Sequence, residues 1–344
     1  MSQEFTITLQ PSGHTFKAAD DETILEAAMR QGIGLPYGCR NGACGSCKGT
    51  LVSGDFDYGQ YQERTLRPEE KVAGKALFCV GRAKSDLILQ VKEIGGAGDM
   101  QVRTLPCRVE KVEKPAPDVA ILYLKLPAQE RLQFLAGQYL DILLKDGKRR
   151  SFSMANAPHR DAHIELHIRL VPDGHFTNYV FNEMRDRAIL RFEAPLGTFF
   201  LREESTKPII FLAGGTGFAP IKSVIEHALH IHTDREMVLY WGCRSLADLY
   251  MPHLPVQWAN EKPNFTFIPV LSDPKAEDNW AGRTGFVHQA VLDDFDSLAG
   301  YQVYACGAPP MIDIARETFA ARGLPDDEFF ADSFTFAPQA APTL

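Results

Sequence analysis

The sequence predicts a three-part chain: a small α+β domain, an antiparallel β-barrel, and a doubly wound α/β domain built on a parallel sheet. Three observations predict it. A glycine-rich loop near the N-terminus, "PYGCRNGACGSCKG", carries three cysteines; a run of alternating strands fills about 101–203; and strand, glycine turn and helix follow one another repeatedly after Pro208. A chain of 344 residues is too long for one core and suits two or three. Its 45% hydrophobic and 23% charged residues are those of an ordinary globular protein, and no stretch reaches the roughly 20 apolar residues of a membrane helix. A net charge of −8 argues against a general nucleic-acid binder and permits docking on a basic partner.

In the first domain, "EFTITLQPSGHTFKA" reads as two strands around Pro11-Ser12-Gly13. "DETILEAAMRQGI" then takes up a helical period, with Thr23 and Glu26 as a capping box and Gly32 near the stop. Cys39, Cys44 and Cys47 are spaced C-x4-C-x2-C, and Cys79 follows after an interval long enough to fold out and return. Four thiolates so spaced suit a [2Fe-2S] cluster, and glycines at 38, 42 and 45 let the loop wrap it and aim N–H groups at sulfur. Structural zinc is the alternative; it usually takes two CxxC-like pairs, whereas here three ligands share one loop. Cys107, Cys243 and Cys306 bring the total to seven, an odd number. Residues 1–30 hold no basic segment followed by an apolar run, so the expected home is a reducing cytoplasm. "KEIGGAGDMQ", with Gly95, Gly96 and Gly98, reads as a linker. The domains are therefore expected at 1–95, 101–203 and 207–337, with a disordered tail at 338–344.

The barrel is read from strands such as "ILYLKLP" and "GQYLDILLKDGKRRSFSM", the latter turning at Asp146-Gly147. Along "RRSFSMANAP", Arg150 and Phe152 share a strand face and Ser153 lies opposite or at the strand end. A guanidinium suits a pyrophosphate, a ring suits a flavin face, and a hydroxyl can bond a reactive ring nitrogen; a plain hairpin with a surface arginine reads equally well from these residues alone. In "PIIFLAGGTGFAPIKSVIEHAL" an apolar strand meets Gly214, Gly215 and Gly217 and then a helix with Pro220 in its first turn, the geometry that offers backbone N–H groups to phosphate. "EMVLYWGCRS" and "YQVYACGAPPMIDIARETFAARG" repeat the pattern, so their turns should line one ligand crevice.

Over residues 3 to about 337 the chain resembles the ferredoxin-NADP reductase-like flavoprotein oxidoreductases that carry a fused N-terminal plant-type ferredoxin domain. "LAGQYLDI", "SMANAP", "FLAGGTGFAP", "GFVHQAVL" and "VYACG" bear the likeness. The resemblance implies a β-grasp first domain with Cys39, Cys44, Cys47 and Cys79 on the cluster. It implies an FAD site from Arg150, Ser151, Phe152, Ser153 and His167, with Gly174, Phe176 and Thr177 of "GHFT" at the pyrophosphate. It places the nicotinamide dinucleotide on Gly214, Gly215, Thr216, Gly217 and Pro220, with Arg244, Cys306 and Gly307. Ser153, Cys306 and Phe334 are the implied catalytic residues. Phe152 stands where tyrosine is usual, and Asp332 where many members have glutamate. Arg244 suits a 2′-phosphate but has Asp248 nearby, so NADH is expected over NADPH.

The implied activity passes electrons from NADH to FAD, then to the cluster and on to a partner enzyme. Within the family the likeness is greatest to reductases serving a CDP-deoxysugar 3-dehydrase. The reductase component of a multicomponent oxygenase is the alternative, and a non-enzymatic iron–sulfur sensor a third reading. A monomer that docks its partner transiently is expected.

Overall fold

The structure, a computed structural model, describes residues 3–95 and 100–335 and comprises two compact units, Met1–Gln101 and Val102–Leu344. Gly96, Gly98 and the tail expected at 338–344 lie outside the described residues. Among the described residues no helix is long and apolar enough to cross a membrane.

The first unit runs β1 (Glu4–Gln10), β2 (Thr15–Ala19), α1 (Ile24–Arg30), β3 (Lys48–Ser53), β4 (Phe56–Asp57), α2 (Pro68–Val72), β5 (Lys75–Leu77), β6 (Arg82–Ala83) and β7 (Leu87–Gln90). Its sheet has the order β2-β1-β7-β3-β5, parallel between β1 and β7 and antiparallel elsewhere, with β4 and β6 as a separate pair. Alternation along β1 turns Phe5, Ile7 and Leu9 inward, where α1 delivers Ile24, Leu25, Ala27 and Ala28. Thr23 accepts from the Glu26 amide while the Glu26 carboxylate accepts from the Thr23 amide, which satisfies two of the orphan donors at the helix start. The return from Cys47 to Cys79 is an antiparallel pairing of β3 with β5, so the Phe78 amide donates to the Cys47 carbonyl. The excursion between them also holds α2 and β4.

The second unit opens with β8 (Arg103–Ala116), β9 (Val119–Lys125), β10 (Tyr139–Leu143), β11 (Arg149–Ser153), β12 (Ile164–Arg169), α3 (His175–Asn182) and β13 (Ile189–Leu196). These six strands are antiparallel in the order β11-β10-β13-β8-β9-β12, and a bridge from Met154 to Leu166 brings the edges β11 and β12 together, which closes the barrel. The β10–β11 hairpin turns at Asp146-Gly147, where Gly147 has φ +79° and the Lys148 amide donates to the Asp146 carboxylate.

The chain then forms β14 (Ile209–Gly214), α4 (Phe218–His230), β15 (Met237–Cys243), α5 (His253–Glu261), β16 (Phe265–Leu271), β17 (Arg283–Thr284), α6 (Val287–Asp294), β18 (Gln302–Gly307), α7 (Pro309–Ala321) and β19 (Phe329–Ser333). The six strands are all parallel, ordered β17-β16-β15-β14-β18-β19. Strand order reverses between β14 and β18, and the crevice outside their carboxyl ends is where such sheets bind ligands. Of these six, β14, β15 and β18 correspond to the three strands read from the sequence. β16 was hidden by Pro269, β17 by its two-residue length and β19 by its distance from any glycine turn. Both faces are buried, by Phe211, Leu239, Trp241 and Phe218 on one side and Ile210, Val303, Ile312 and Phe319 on the other.

Candidate functional site

In the first unit, the loop after α1 gathers the four expected cysteines. Cys39 lies within hydrogen-bonding reach of Cys44 and of Cys79, and Cys79 of Cys47, so the four sulfurs form one group. The Cys39 amide points at Cys44 Sγ at 3.3 Å and the Ala43 amide at Cys39 Sγ at 3.4 Å. Gly38 lets the loop close, since a Cβ there would stand 3.3 Å from Cys44 Sγ, and Gly42, at φ +73°, packs against Gln60 and Tyr61. Its hydrogen bond to Cys39 and its burial push the Cys44 thiol well up. Among the described residues no three His, Cys, Asp or Glu converge as a lone metal ion requires. A two-iron cluster asks for only two thiolates at each iron, and the amides aimed at sulfur fit it.

In the second unit, β11 presents Arg150 and Phe152 on one face, both half-buried. Arg150 carries no ion pair among the described residues; its Nη1 donates only to the Arg149 carbonyl. The Phe152 ring tilts against Phe176 of α3 at 5.5 Å. Ser151 faces the other way and donates to Asp141 at 2.6 Å, bracing β11 on β10. Gly174 caps α3 without a side-chain bond, and Thr177 Oγ1 accepts from the Val171 amide, pinning the loop that leads in. A cation lacking a carboxylate beside a half-exposed ring fits a flavin dinucleotide.

The ends of β11, β18 and β19 meet. Ser153, the last residue of β11, donates through Oγ to Asp332 Oδ2 at 3.2 Å. Asp332 lies beside Cys306 across the parallel β18–β19 pair. Burial pushes the Asp332 carboxyl up to about 6, with the Ser153 hydrogen bond pulling the other way. Burial likewise raises the Cys306 thiol well above its usual range, aided by Asp332, so it stays neutral. The Phe334 amide donates to the Gly307 carbonyl at 2.9 Å, which fixes the chain beyond β19 against the end of β18.

Between β14 and α4 the chain makes one tight turn. Gly215 has φ +53°, its carbonyl accepts from Trp241 Nε1, and a Cβ on Gly217 would collide with the Cys306 carbonyl. Thr216 is buried in the turn and Pro220 sits in the first helical turn, where its missing donor costs nothing. Arg169 reaches this turn from the end of β12: a Cβ on Gly215 would stand 3.3 Å from its Nη2, which is buried without a partner, while Nη1 donates to Asp118 at 2.9 Å. An orphan guanidinium nitrogen beside a glycine turn at a strand-to-helix junction fits an anionic group.

His167 turns its ring into the protein. Its side chain is fully buried, Nδ1 accepting from the Tyr250 hydroxyl and Nε2 donating to Glu165, each at 2.7 Å, so both ring nitrogens have protein partners. Burial lowers its pKa, which keeps the ring neutral, and the Glu165 carboxylate, which only accepts, places the proton on Nε2. Glu165 continues to Lys222 of α4 at 3.2 Å, Lys222 to Glu226 at 3.1 Å and to the Ala155 carbonyl, and Glu226 to Arg160. Burial acts to raise Glu165, but the His167 hydrogen bond and the Lys222 charge outweigh it and bring it down to about 2. The network fastens α4 to the segment after β11, and His167 belongs to it. Lys222 and Glu226 were read in the sequence only as helix; nothing at short spacing marks a lysine that meets its carboxylate 57 residues away.

Three family descriptions match the chain: 2Fe-2S iron-sulfur cluster binding domain over residues 7–84, oxidoreductase FAD-binding domain over 106–201, and oxidoreductase NAD-binding domain over 211–317. The CDP-6-deoxy-L-threo-D-glycero-4-hexulose-3-dehydrase reductase of Yersinia pseudotuberculosis serotype I is 44% identical over 329 residues, 95% of this chain and 98% of that one. The chain belongs to the ferredoxin-NADP reductase-like flavoproteins with an N-terminal [2Fe-2S] domain. As a flavoprotein reductase of this kind it is an oxidoreductase whose domains carry electrons from NADH through FAD to a [2Fe-2S] cluster. The phenol hydroxylase P5 protein of Acinetobacter pittii is 35% identical over 98% of this reductase and 96% of its own length. Among solved structures, the Amycolatopsis cytochrome P450 reductase GcoB superposes with a TM-score of 0.79 at 34% identity, covering 96% of this reductase and 98% of GcoB.

Proposed function

We propose that this reductase supplies electrons from NADH to a CDP-deoxysugar 3-dehydrase. The observation that carries the redox reading is the meeting of Ser153, Cys306 and Asp332 at the ends of three strands, next to the glycine turn of a parallel sheet. The choice of acceptor follows the 44% identity to the Yersinia dehydrase reductase, against 35% to the Acinetobacter phenol hydroxylase protein.

When bound, FAD takes a hydride from nicotinamide and gives up its electrons singly, which a [2Fe-2S] cluster can accept and a hydride donor cannot supply directly. The chain's own residues hold and shield these groups. Cys39, Cys44, Cys47 and Cys79 would hold the cluster, with the amides of Cys39 and Ala43 donating to sulfur. Arg150 and the start of α3, from Gly174 through Phe176 to Thr177, would hold the FAD pyrophosphate; Phe152 would stack on the flavin, and Ser151 keeps the strand in place through Asp141. Gly214 to Gly217, Pro220 and the free Nη2 of Arg169 would receive the dinucleotide phosphates. Cys306 and Gly307 would lie under the nicotinamide, and Phe334, fixed by its amide to the Gly307 carbonyl, would be the ring that gives way to it. Ser153 would turn its hydroxyl from Asp332 toward the reactive flavin ring nitrogen, and Asp332, raised by burial to about 6, would hold or release a proton at Oδ2. His167 acts one step removed, by fixing Glu165.

The test is NADH oxidation by the full chain mixed with a purified CDP-6-deoxyhexulose 3-dehydrase and its sugar. Oxidation that requires both supports the assignment. Oxidation stimulated instead by an oxygenase component with its aromatic substrate assigns the chain to that class.

A further inference from the structure

The end of β15 is where a dinucleotide fold distinguishes a ribose 2′-hydroxyl from a 2′-phosphate: an acidic residue there bonds the hydroxyl, an arginine accommodates the phosphate. The residue after β15 is Arg244, which on this rule alone marks an NADPH enzyme. Its surroundings reverse that. Arg244 Nε lies 3.7 Å from Asp248, on its own loop, and Nη2 lies 3.9 Å from Asp118, which comes from the barrel. Asp118 is the second residue of the two-residue turn joining β8 to β9. Its carbonyl accepts from the Leu170 amide, and its carboxylate holds Arg169 at 2.9 Å, the guanidinium that stands over Gly215. The carboxylate is thus fixed from two sides, while the Arg244 side chain is 70% exposed and free to move. Asp248 is committed as well, accepting from the Ser245 amide and hydroxyl.

The geometry points to Asp118 as a specificity-determining residue that makes the chain prefer NADH, a reading that rests on the nucleotide site proposed above. Asp118 and Asp248 both face Arg244, and Asp118 also holds Arg169, so the charge of Arg244 is already countered by carboxylates before any ligand arrives. A ribose 2′-hydroxyl finds acceptors there. A 2′-phosphate, carrying up to two negative charges, meets Asp118 at the position from which Arg244 would have to greet it. The determinant lies 126 residues from Arg244 and on the other domain of the unit, which is why the nucleotide-binding segment alone does not display it.

The experiment compares the full chain with Asp118→Asn, Arg244→Ala and the double variant, measuring equilibrium binding of ADP-ribose and 2′-phospho-ADP-ribose by calorimetry and kcat/KM with NADH and NADPH. Asparagine keeps the acceptor for Arg169; Asp118→Ser serves if the first variant loses its flavin. Removing the carboxylate should raise affinity for the 2′-phosphorylated ligand about tenfold and leave ADP-ribose within about twofold. Arg244→Ala should erase that gain in the double variant. A gain that persists without Arg244, or an equal shift for both ligands, overturns the role of Asp118. If Arg244→Ala weakens the 2′-phosphorylated ligand while Asp118→Asn changes nothing, the specificity assignment fails and the nucleotide site stands. If neither variant alters either ligand, both fail.

Discussion

The cluster loop and the crevice of the second unit gather comparable numbers of reactive side chains by opposite routes. Three of the four cysteines sit within nine residues, and the fourth arrives on a strand paired to the same loop's exit. In the crevice, Ser153 and Asp332 are 179 residues apart in sequence, and the turn at Gly215 is overlooked by Arg169 from another domain. A site written into one loop fails at one residue. A site assembled from strand ends depends equally on the residues that hold those ends together, none of which need touch a ligand.

The largest effect belongs to the loop. Cys44→Ser should abolish the visible absorption of the cluster and the reduction of cytochrome c, while ferricyanide reduction and flavin bleaching by NADH continue, because the second unit has its own core. Loss of flavin bleaching at full FAD occupancy would break the contrast between the two sites.

Next comes the fastening of the crevice. Lys222→Met removes the buried ammonium that Glu165 and Glu226 share, leaving Glu165 with His167 and Glu226 with Arg160 as side-chain partners, a change of about 3–5 kcal/mol, whereas Arg160→Ala, whose guanidinium is mostly exposed, should cost under about 1 kcal/mol. Thermal melting of the second unit reads the difference. Equal losses in the two variants would show that the buried chain of charges does not hold α4 in place.

The smallest effect concerns Asp332. Its pKa in the fold, about 6, exceeds the ordinary 3.8, so the folded protein binds the proton more tightly than the unfolded chain does. This group's contribution to stability therefore falls as pH rises from about 4 to about 6 and is flat above. Asp332→Asn should lack that decline, gaining on the parent more at pH 7 than at pH 4.5. Ser153→Ala removes the hydrogen bond that opposes the rise, so the window should extend above pH 6, and flavin bleaching should slow about tenfold. A melting-temperature difference that is the same at both pH values would sink the assignment.

The same contrast explains what the sequence discloses. The Thr23–Glu26 capping box, the Asp146-Gly147 turn and the C-x4-C-x2-C loop are short-range devices whose partners lie within a few residues, and the structure shows the first two directly. The glycine turn after β14 was legible because three glycines announce it. His167 illustrates the limit: a histidine on a strand is visible, but whether it faces a cofactor or a glutamate two residues away and a tyrosine 83 away is decided by packing. Asp118 is an ordinary turn residue until the two domains of the second unit are placed side by side.

The contact between Gly217 and the Cys306 carbonyl constrains how this protein can evolve. One hydrogen atom at residue 217 occupies the space between the glycine turn and the end of β18, and a methyl group there would have to displace β18, along with the Asp332 and Phe334 that lie beside it. A substitution that a codon table counts as minimal would thus change the depth of the pocket and the spacing of its acid and ring at once. Variation among descendants of this chain should therefore accumulate at exposed positions such as Leu246 and Ala247 and leave position 217 fixed.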